Sequence, residues 1–316
     1  MIQTVNKKRS KVLLILSLAV VILLLGSVFF SGCSKSDVSE TTEESSSDSS
    51  KTQEASGKKF EGHELIISGS TTLLQVSEAW AAAFMEEYGG AIIINGGGSG
   101  GGIADMINRI NDLANTSRQI KDKEKEEAKT AGLDVQEYTV LYDGIAVIIS
   151  ENVSINELTI EQLSKIYTGE IINWSEVGGE DLEVVLIARD SSSGTGEYFL
   201  ESVVQLGKTL NENDYSVMAL RLQSNADIVN QVKGNDNTIG YIGLGYLDDS
   251  LKTVKVEGAI PSIDTVKDDS YPISRGLYVY SPNKDLSEIA QAYLDFVLSE
   301  EGQQIGLREG FVPVSK

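Results

Sequence analysis

Short, fully apolar runs alternate with longer amphipathic stretches over most of this chain. Leu65-Ile66-Ile67 is the first run, and Gly69-Ser70-Thr71-Thr72 separates it from Leu73, Val76, Ala79, Trp80 and Phe84 at helical spacing. Ala91-Ile92-Ile93-Ile94 predicts a second buried strand, followed by Gly96 to Gly102 and a helix carrying Ile103, Met106, Ile107 and Ile110. Leu113-Ala114-Asn115 and Val140 to Ile149 predict two more strands. Beyond them the pattern gives a helix over Leu158 to Tyr167, a strand over Val184 to Ala188 and a helix over Thr195 to Leu206. Strands over Ile239 to Tyr246 and Leu277 to Tyr280 follow. Ser287 to Leu298 closes the series as a helix with Ile289, Tyr293, Phe296 and Val297 on one face. Strands that are apolar on both faces, alternating with helices, indicate an α/β fold with mixed, mainly parallel sheets. No tandem repeat is visible. About 255 folded residues exceed the usual single core, so two lobes are expected.

The first residues follow a different pattern. Lys7-Lys8-Arg9-Ser10-Lys11 precedes an apolar run from Val12 to Phe30, then Ser31-Gly32-Cys33. A basic region, an apolar region and small residues describe a secretory signal over residues 1–32. Small residues directly before a lone cysteine also resemble a bacterial lipobox, with Cys33 lipidated, although Phe30 stands where an aliphatic residue is usual. The alternative is an uncleaved anchor, since this run nearly reaches the roughly 20 residues needed to span a bilayer. Either places the folded part outside the cytoplasm. Residues 33–59 are rich in Ser, Thr, Glu and Lys and read as a tether, with folding expected from Phe60.

Charge and composition narrow the partners. The chain carries 26 basic and 47 acidic residues, net −21. Without the four cations of residues 1–32, 22 basic residues face the same 47 acids, net −25. Such a surface repels nucleic acid and anionic membrane, so the membrane is expected only through a lipid anchor. One cysteine and one histidine, His63, exclude an intrachain disulfide and a His/Cys zinc site; no metal and no cofactor are implied. A hydrolytic triad would have His63 as its only imidazole.

Three loops share one chemistry: Gly69-Ser70-Thr71-Thr72, Gly98-Ser99-Gly100-Gly101-Gly102 and Ser191-Ser192-Ser193-Gly194-Thr195-Gly196. Each follows a strand and opens a helix. There, unpaired N–H groups and the helix dipole favour an anion, glycine lets it approach, and Ser or Thr adds a hydroxyl donor. Two arginines flank the loops. Arg189 ends the Val184–Ala188 strand and Arg118 follows Ser117; each offers a fork to an oxyanion. The match Gly96-x-Gly98-x-x-Gly101 to a dinucleotide motif is nearly automatic where six of seven residues are glycine, and no acidic residue ends a second strand about 20 positions on.

At these residues the chain resembles the PstS family of phosphate-binding proteins of bacterial ABC importers. The matching segments are Ile66-Ile67-Ser68-Gly69-Ser70-Thr71-Thr72, Gly98-Ser99-Gly100-Gly101, Leu113-Ala114-Asn115-Thr116-Ser117-Arg118, Asp143-Gly144-Ile145-Ala146-Val147, Ile166-Tyr167-Thr168-Gly169-Glu170-Ile171 with Asn173-Trp174, Arg189-Asp190-Ser191-Ser192-Ser193-Gly194-Thr195 and Ile239-Gly240-Tyr241. The resemblance implies a two-lobed, type II periplasmic-binding-protein fold with phosphate in the cleft between lobes. The lobes would be 60–141 plus 271–316, and 142–270. It implies ligand contacts from Thr71, Thr72, Ser99, Arg189, Ser193, Gly194 and Thr195, and Ser70, Ser117 and Arg118 are expected to bind phosphate with them. Proteobacterial members carry an aspartate that accepts the proton of hydrogen phosphate; that position falls on Ser117 here, and the Ser-Arg pair looks like the version of Gram-positive relatives. Phosphate and sulfate differ mainly in that proton, so another acceptor is needed. The candidate is Asp143, which could instead cap a turn or pair with Arg118.

The expected function is that of an extracytoplasmic, lipid-anchored monomer that captures inorganic phosphate and delivers it to the permease of an ABC importer. No chemistry on the substrate is expected. Rival readings are a binding protein for sulfate or molybdate, a secreted phosphatase with Ser193 as nucleophile, and a surface adhesin or phosphate sensor.

Overall fold

The computed structural model describes residues 58–208, 212–284 and 286–314. The expected leader, Cys33 and the tether up to residue 57 lie outside the described residues. Among the described residues, no helix is long and apolar enough to cross a membrane.

The chain enters the fold at Phe60, which is buried. Strands β1 (Glu64–Gly69), β2 (Ala91–Gly96) and β3 (Leu113–Thr116) pair in parallel, with β1 central. Helices α1 (Leu74–Tyr88) and α2 (Ser99–Ile107) cross between them, and α1 buries Val76, Trp80, Ala81 and Phe84. After α3 (Asp122–Thr130) comes β4 (Gln136–Ile149), the longest strand, which starts before the expected Val140. Short β5 (Glu157–Leu158) precedes α4 (Ile160–Thr168). Thr159 and Gln162 form a capping box at its start, and Gly169 stops it in the left-handed region.

Strand β6 (Val185–Arg189) leads into α5 (Gly194–Phe199), which continues as a π-helical turn over Leu200–Val204. Then follow β7 (Leu220–Leu222), α6 (Asn225–Gly234), β8 (Thr238–Gly243), β9 (Lys252–Thr253), β10 (Lys255–Val256) and α7 (Ile263–Lys267). Strand β11 (Ser274–Ser281), α8 (Glu288–Leu298), α9 (Glu300–Arg308) and β12 (Val312–Pro313) complete the described chain.

The main sheet has the order β2-β1-β3-β11-β4-β8-β6-β7, with β9 and β12 also pairing β4. Its two ends are parallel, while β3–β11, β11–β4 and β4–β8 in the middle are antiparallel. Strand β4 serves two cores. Val140 and Leu141 pack with Leu65, Trp80, Phe84, Leu113 and Leu277. Ile145 to Ile149 pack with Tyr167, Trp174, Phe199, Tyr241 and Tyr271. This division makes the fold two-lobed, as a mixed α/β periplasmic-binding-protein fold is. Tyr271 and Ile273 belong to the second core, just past the expected boundary at residue 270. A smaller cluster of Ile103, Met106, Ala114, Ile120 and Tyr280 fills the other side of the first sheet.

Candidate functional site

Three helix-opening loops, two from the first lobe and one from the second, meet between the lobes. Ser70, Thr71 and Thr72 lie between β1 and α1. Ser99 is the first residue of α2, after Gly98 as N-cap. Ser193 is the N-cap of α5, and its Oγ accepts the Gly196 N–H at 3.0 Å, leaving the hydroxyl proton free to donate. Ser70, Thr71, Thr72, Ser99, Ser117, Arg118, Asp143, Arg189, Ser193 and Thr195 are all buried, as is Gly194.

The hydroxyls touch across the lobes. Thr72 Oγ1 and Thr195 Oγ1 share a hydrogen bond of 2.8 Å, and Ser117 Oγ stands 3.5 Å from Thr195 Oγ1. Ser99 Oγ accepts the Ser117 N–H at 3.0 Å and lies 3.3 Å from Ser117 Oγ. The Gly100 N–H donates to Ser192 O at 3.1 Å, so backbone also bridges the lobes. This approach requires glycine at 194: a methyl there would overlap Ser99 Oγ and stand 2.9 Å from Ser117 Oγ. Gly98, at φ 85°, faces Ser192 O in the same way.

Arg189 lies at the end of β6, buried to 1% exposure. Its Nη2 donates to Thr71 Oγ1 at 2.8 Å and its Nη1 to Asn225 Oδ1 at 3.1 Å. Its backbone N–H donates to Tyr241 OH at 3.0 Å, which is itself 2.7 Å from Tyr215 OH. Tyr241 therefore supports the arginine from behind. Burial lowers the Arg189 guanidinium to about 10, which still leaves it charged at neutral pH. Tyr246 OH donates to Thr71 O at 2.7 Å, and burial pushes that phenol up to about 12.

Two predicted residues have partners the sequence did not suggest. Arg118 turns its guanidinium to Glu124, with Nη2–Oε1 at 2.6 Å and Nη1–Oε2 at 2.8 Å, and pairs with Glu197 of α5 through Nε. Asp143 does not pair with Arg118. Its partner is Arg275 of β11, whose Nη2 and Nε lie 2.8 and 3.2 Å from Asp143 Oδ2, while Oδ1 accepts the Leu244 N–H at 2.9 Å. Complete burial raises the Asp143 carboxyl above its ordinary range, against the pull of Arg275.

Arg275 and Asn225, which the sequence pattern did not single out, also reach into the hydroxyl cluster. Arg275 Nη2 also donates to Thr195 Oγ1 at 2.9 Å and reaches Thr72 Oγ1 at 3.4 Å; Nη1 donates to Ser117 O at 2.9 Å. Asn225, fully buried, donates from Nδ2 toward Thr72 Oγ1 at 3.4 Å and accepts the Gly243 N–H at 3.2 Å. A lone arginine in an apolar strand was the signal for the first. The Ser224-x-x-Asp227 capping box, which predicts a helix opening at Asn225, was the signal for the second.

His63 sits elsewhere. It is exposed, packs edge-on against Phe60 at 6.0 Å, and lies at the opposite end of β1 from Gly69. Six strand steps separate them, about 20 Å. Among the described residues no group of His, Cys, Asp and Glu could hold a metal ion.

Two α/β lobes joined by a shared strand, with hydroxyls and arginines buried between them, define a two-lobed binding protein. The PBP superfamily domain matches residues 40–301. The phosphate-binding protein PstS of Borreliella burgdorferi is 31% identical over 218 residues, covering 67% of this chain and 76% of that protein. PstS of Staphylococcus saprophyticus is 32% identical over 231 residues, covering 68% and 69%. A Clostridium perfringens protein solved with bound phosphate, and assigned as a phosphate ABC transporter substrate-binding protein, aligns at a TM-score of 0.74 and 36% identity. That alignment covers 80% of this chain and all of that one. The chain belongs to the PstS family of phosphate-binding proteins within the PBP superfamily.

Proposed function

We propose that this protein captures inorganic phosphate between its lobes and delivers it to the membrane permease of an ABC importer. One observation carries the reading. Hydroxyls from both lobes, those of Thr72, Ser117 and Thr195, converge in a buried cluster beside Arg189. Phosphate oxygens are strong acceptors, and buried hydroxyls, helix N-termini and a charged arginine are matching donors. The family supports the same ligand, since its relatives are named phosphate-binding proteins and one neighbour holds phosphate.

In this reading the ligand contacts come from Ser70, Thr71, Thr72, Ser99, Ser117, Arg189, Ser193, Gly194 and Thr195. Arg118 belongs to the ion network that joins the lobes. Ligand contacts on both sides favour the closed form by their differential affinity. Phosphate is bound and released unchanged, by a monomer held at the extracytoplasmic face of the membrane through Cys33. The lobes divide near residues 141 and 273, which is supported by the membership of the two cores.

Titration calorimetry at neutral pH tests the reading, with sulfate and molybdate as competitors. Tight phosphate binding that neither competitor displaces is the expected result, and no phosphate binding at millimolar concentration would sink it. Arg189→Gln should weaken binding by about 10- to 150-fold, the worth of one charge-assisted hydrogen bond.

A further inference from the structure

Arg275 lies on β11, the strand that pairs with β4 where β4 passes from one core to the other. Its side chain is 1% exposed and reaches forward into the hydroxyl cluster. Nη2 carries two N–H groups. One is held by Asp143 Oδ2 at 2.8 Å; the other faces Thr195 Oγ1 at 2.9 Å and Thr72 Oγ1 at 3.4 Å, one hydroxyl from each lobe. A neutral hydroxyl is a weaker acceptor for guanidinium than an oxyanion oxygen, so an anion held by these threonines would draw the same N–H.

Asp143 is arranged differently. Its carboxylate accepts Arg275 Nε and Nη2 on Oδ2 and the Leu244 N–H on Oδ1. Three of a carboxylate's roughly four lone-pair sites are thus filled by fixed donors, both of those on Oδ2 by Arg275, so the main engagement of Asp143 is with Arg275. We propose that Arg275 is a second anion-contacting arginine, and that Asp143 is the positioning residue that holds its fork. This rests on the anion-capture reading and replaces the expected role of Asp143 as proton acceptor. Two arginines and one carboxylate give the buried site a net charge of +1 before the anion enters. The protein surface is strongly acidic, so this local charge has to attract the ligand.

The test is titration calorimetry of the full chain with phosphate and, separately, sulfate. Arg275→Lys keeps the charge opposite Asp143 but loses the planar fork. Its phosphate affinity should fall by about tenfold or more. Wild-type affinity in this variant would mean that Arg275 is only a counter-ion and would overturn the proposal. Asp143→Asn should weaken phosphate and sulfate together, with their ratio changed by less than about threefold. A collapse of that ratio by about 100-fold or more would identify Asp143 as the proton acceptor and also overturn the proposal.

Should either single variant lose its cooperative melting transition, the Asp143→Asn/Arg275→Gln double variant removes both charges at nearly constant shape. A weakening of about tenfold supports the assignment; unchanged affinity overturns it. A wild-type protein that binds neither anion overturns the anion-capture reading and this assignment together. A wild type that binds while Arg275→Lys binds equally well overturns the Arg275 assignment alone.

Discussion

Arg118 of the first lobe and Glu197 of the second form an ion pair across the cleft, and Lys121 shares the same carboxylate. On its own side Arg118 is held by both oxygens of Glu124. Glu197 sits in the first turn of α5, where the helix dipole also favours a negative charge. The pairs to Glu197 are formed only while the lobes touch, so they stabilise closure. Glu197→Gln should therefore raise the Kd for phosphate by about 3- to 10-fold, the worth of about 1 kcal/mol. Calorimetry at low and high salt checks it: the variant should show a weaker ionic-strength dependence than the wild type. Equal affinity and equal salt dependence would remove the network from the closing equilibrium.

The other half of this network predicts a pH dependence. Burial raises the Glu124 carboxyl, but the Arg118 hydrogen bond, the Lys121 N–H and both cations together bring it below its ordinary range. A carboxylate with a lowered folded-state pKa contributes stability above its unfolded value, near 4.3, and loses it as pH falls through the folded value. Glu124→Gln should cost about 1–2 kcal/mol at pH 7. That corresponds to a Tm lower by about 2–6 °C. The difference should shrink steadily below about pH 4.3. Thermal melts of both proteins between pH 7 and pH 3 test this, and a constant difference would refute it.

Gly194 makes a cleaner probe of closure. A methyl at this position would overlap Ser99 Oγ and crowd Ser117 Oγ, both on the opposite lobe. Within its own lobe the residue is helical, so alanine is conformationally acceptable there. Gly194→Ala should weaken phosphate binding by about 5- to 150-fold, since overpacking costs about 1–3 kcal/mol and arises only in the closed form. Ligand-free melting should move by less than about 2 °C. A large loss of ligand-free stability would instead mean that the lobes rarely separate.

These contacts also explain what the sequence could reveal. The three loops were legible because glycine and hydroxyl residues stand where apolar strands end, a local pattern. The ends of α4 and α8 were legible because Thr159 and Ser287 cap them. Partners distant in the chain were not legible. Arg275 reaches Asp143 from 132 positions away. Nothing local to Glu197 names Arg118. Helix α3 escaped because its only buried residue is Ala128, so no apolar stripe announces it. The expected helix over Thr195 to Leu206 shifts into a π-helical turn after Phe199, which periodicity cannot resolve.

The two tryptophans supply a last prediction. Trp80 packs in the first core and donates from Nε1 to Gly302 O at 2.7 Å. Trp174 packs in the second core and donates to Asn237 O at 3.0 Å. Each is at most 1% exposed, and each hydrogen-bonds within its own lobe. A hinge motion carries each lobe as a rigid body and leaves such surroundings intact. Phosphate should therefore change the intrinsic tryptophan emission by less than about 5%, even under conditions where calorimetry finds the site saturated. A larger change would mean that closure repacks one of the cores, and the Trp80→Phe and Trp174→Phe variants would identify which. Tyr198 gives a contrasting position, because its hydroxyl donates to Ser274 O at 2.5 Å and links the second lobe to the strand where β11 begins. A Tyr198→Trp variant should respond to phosphate where the two native tryptophans do not.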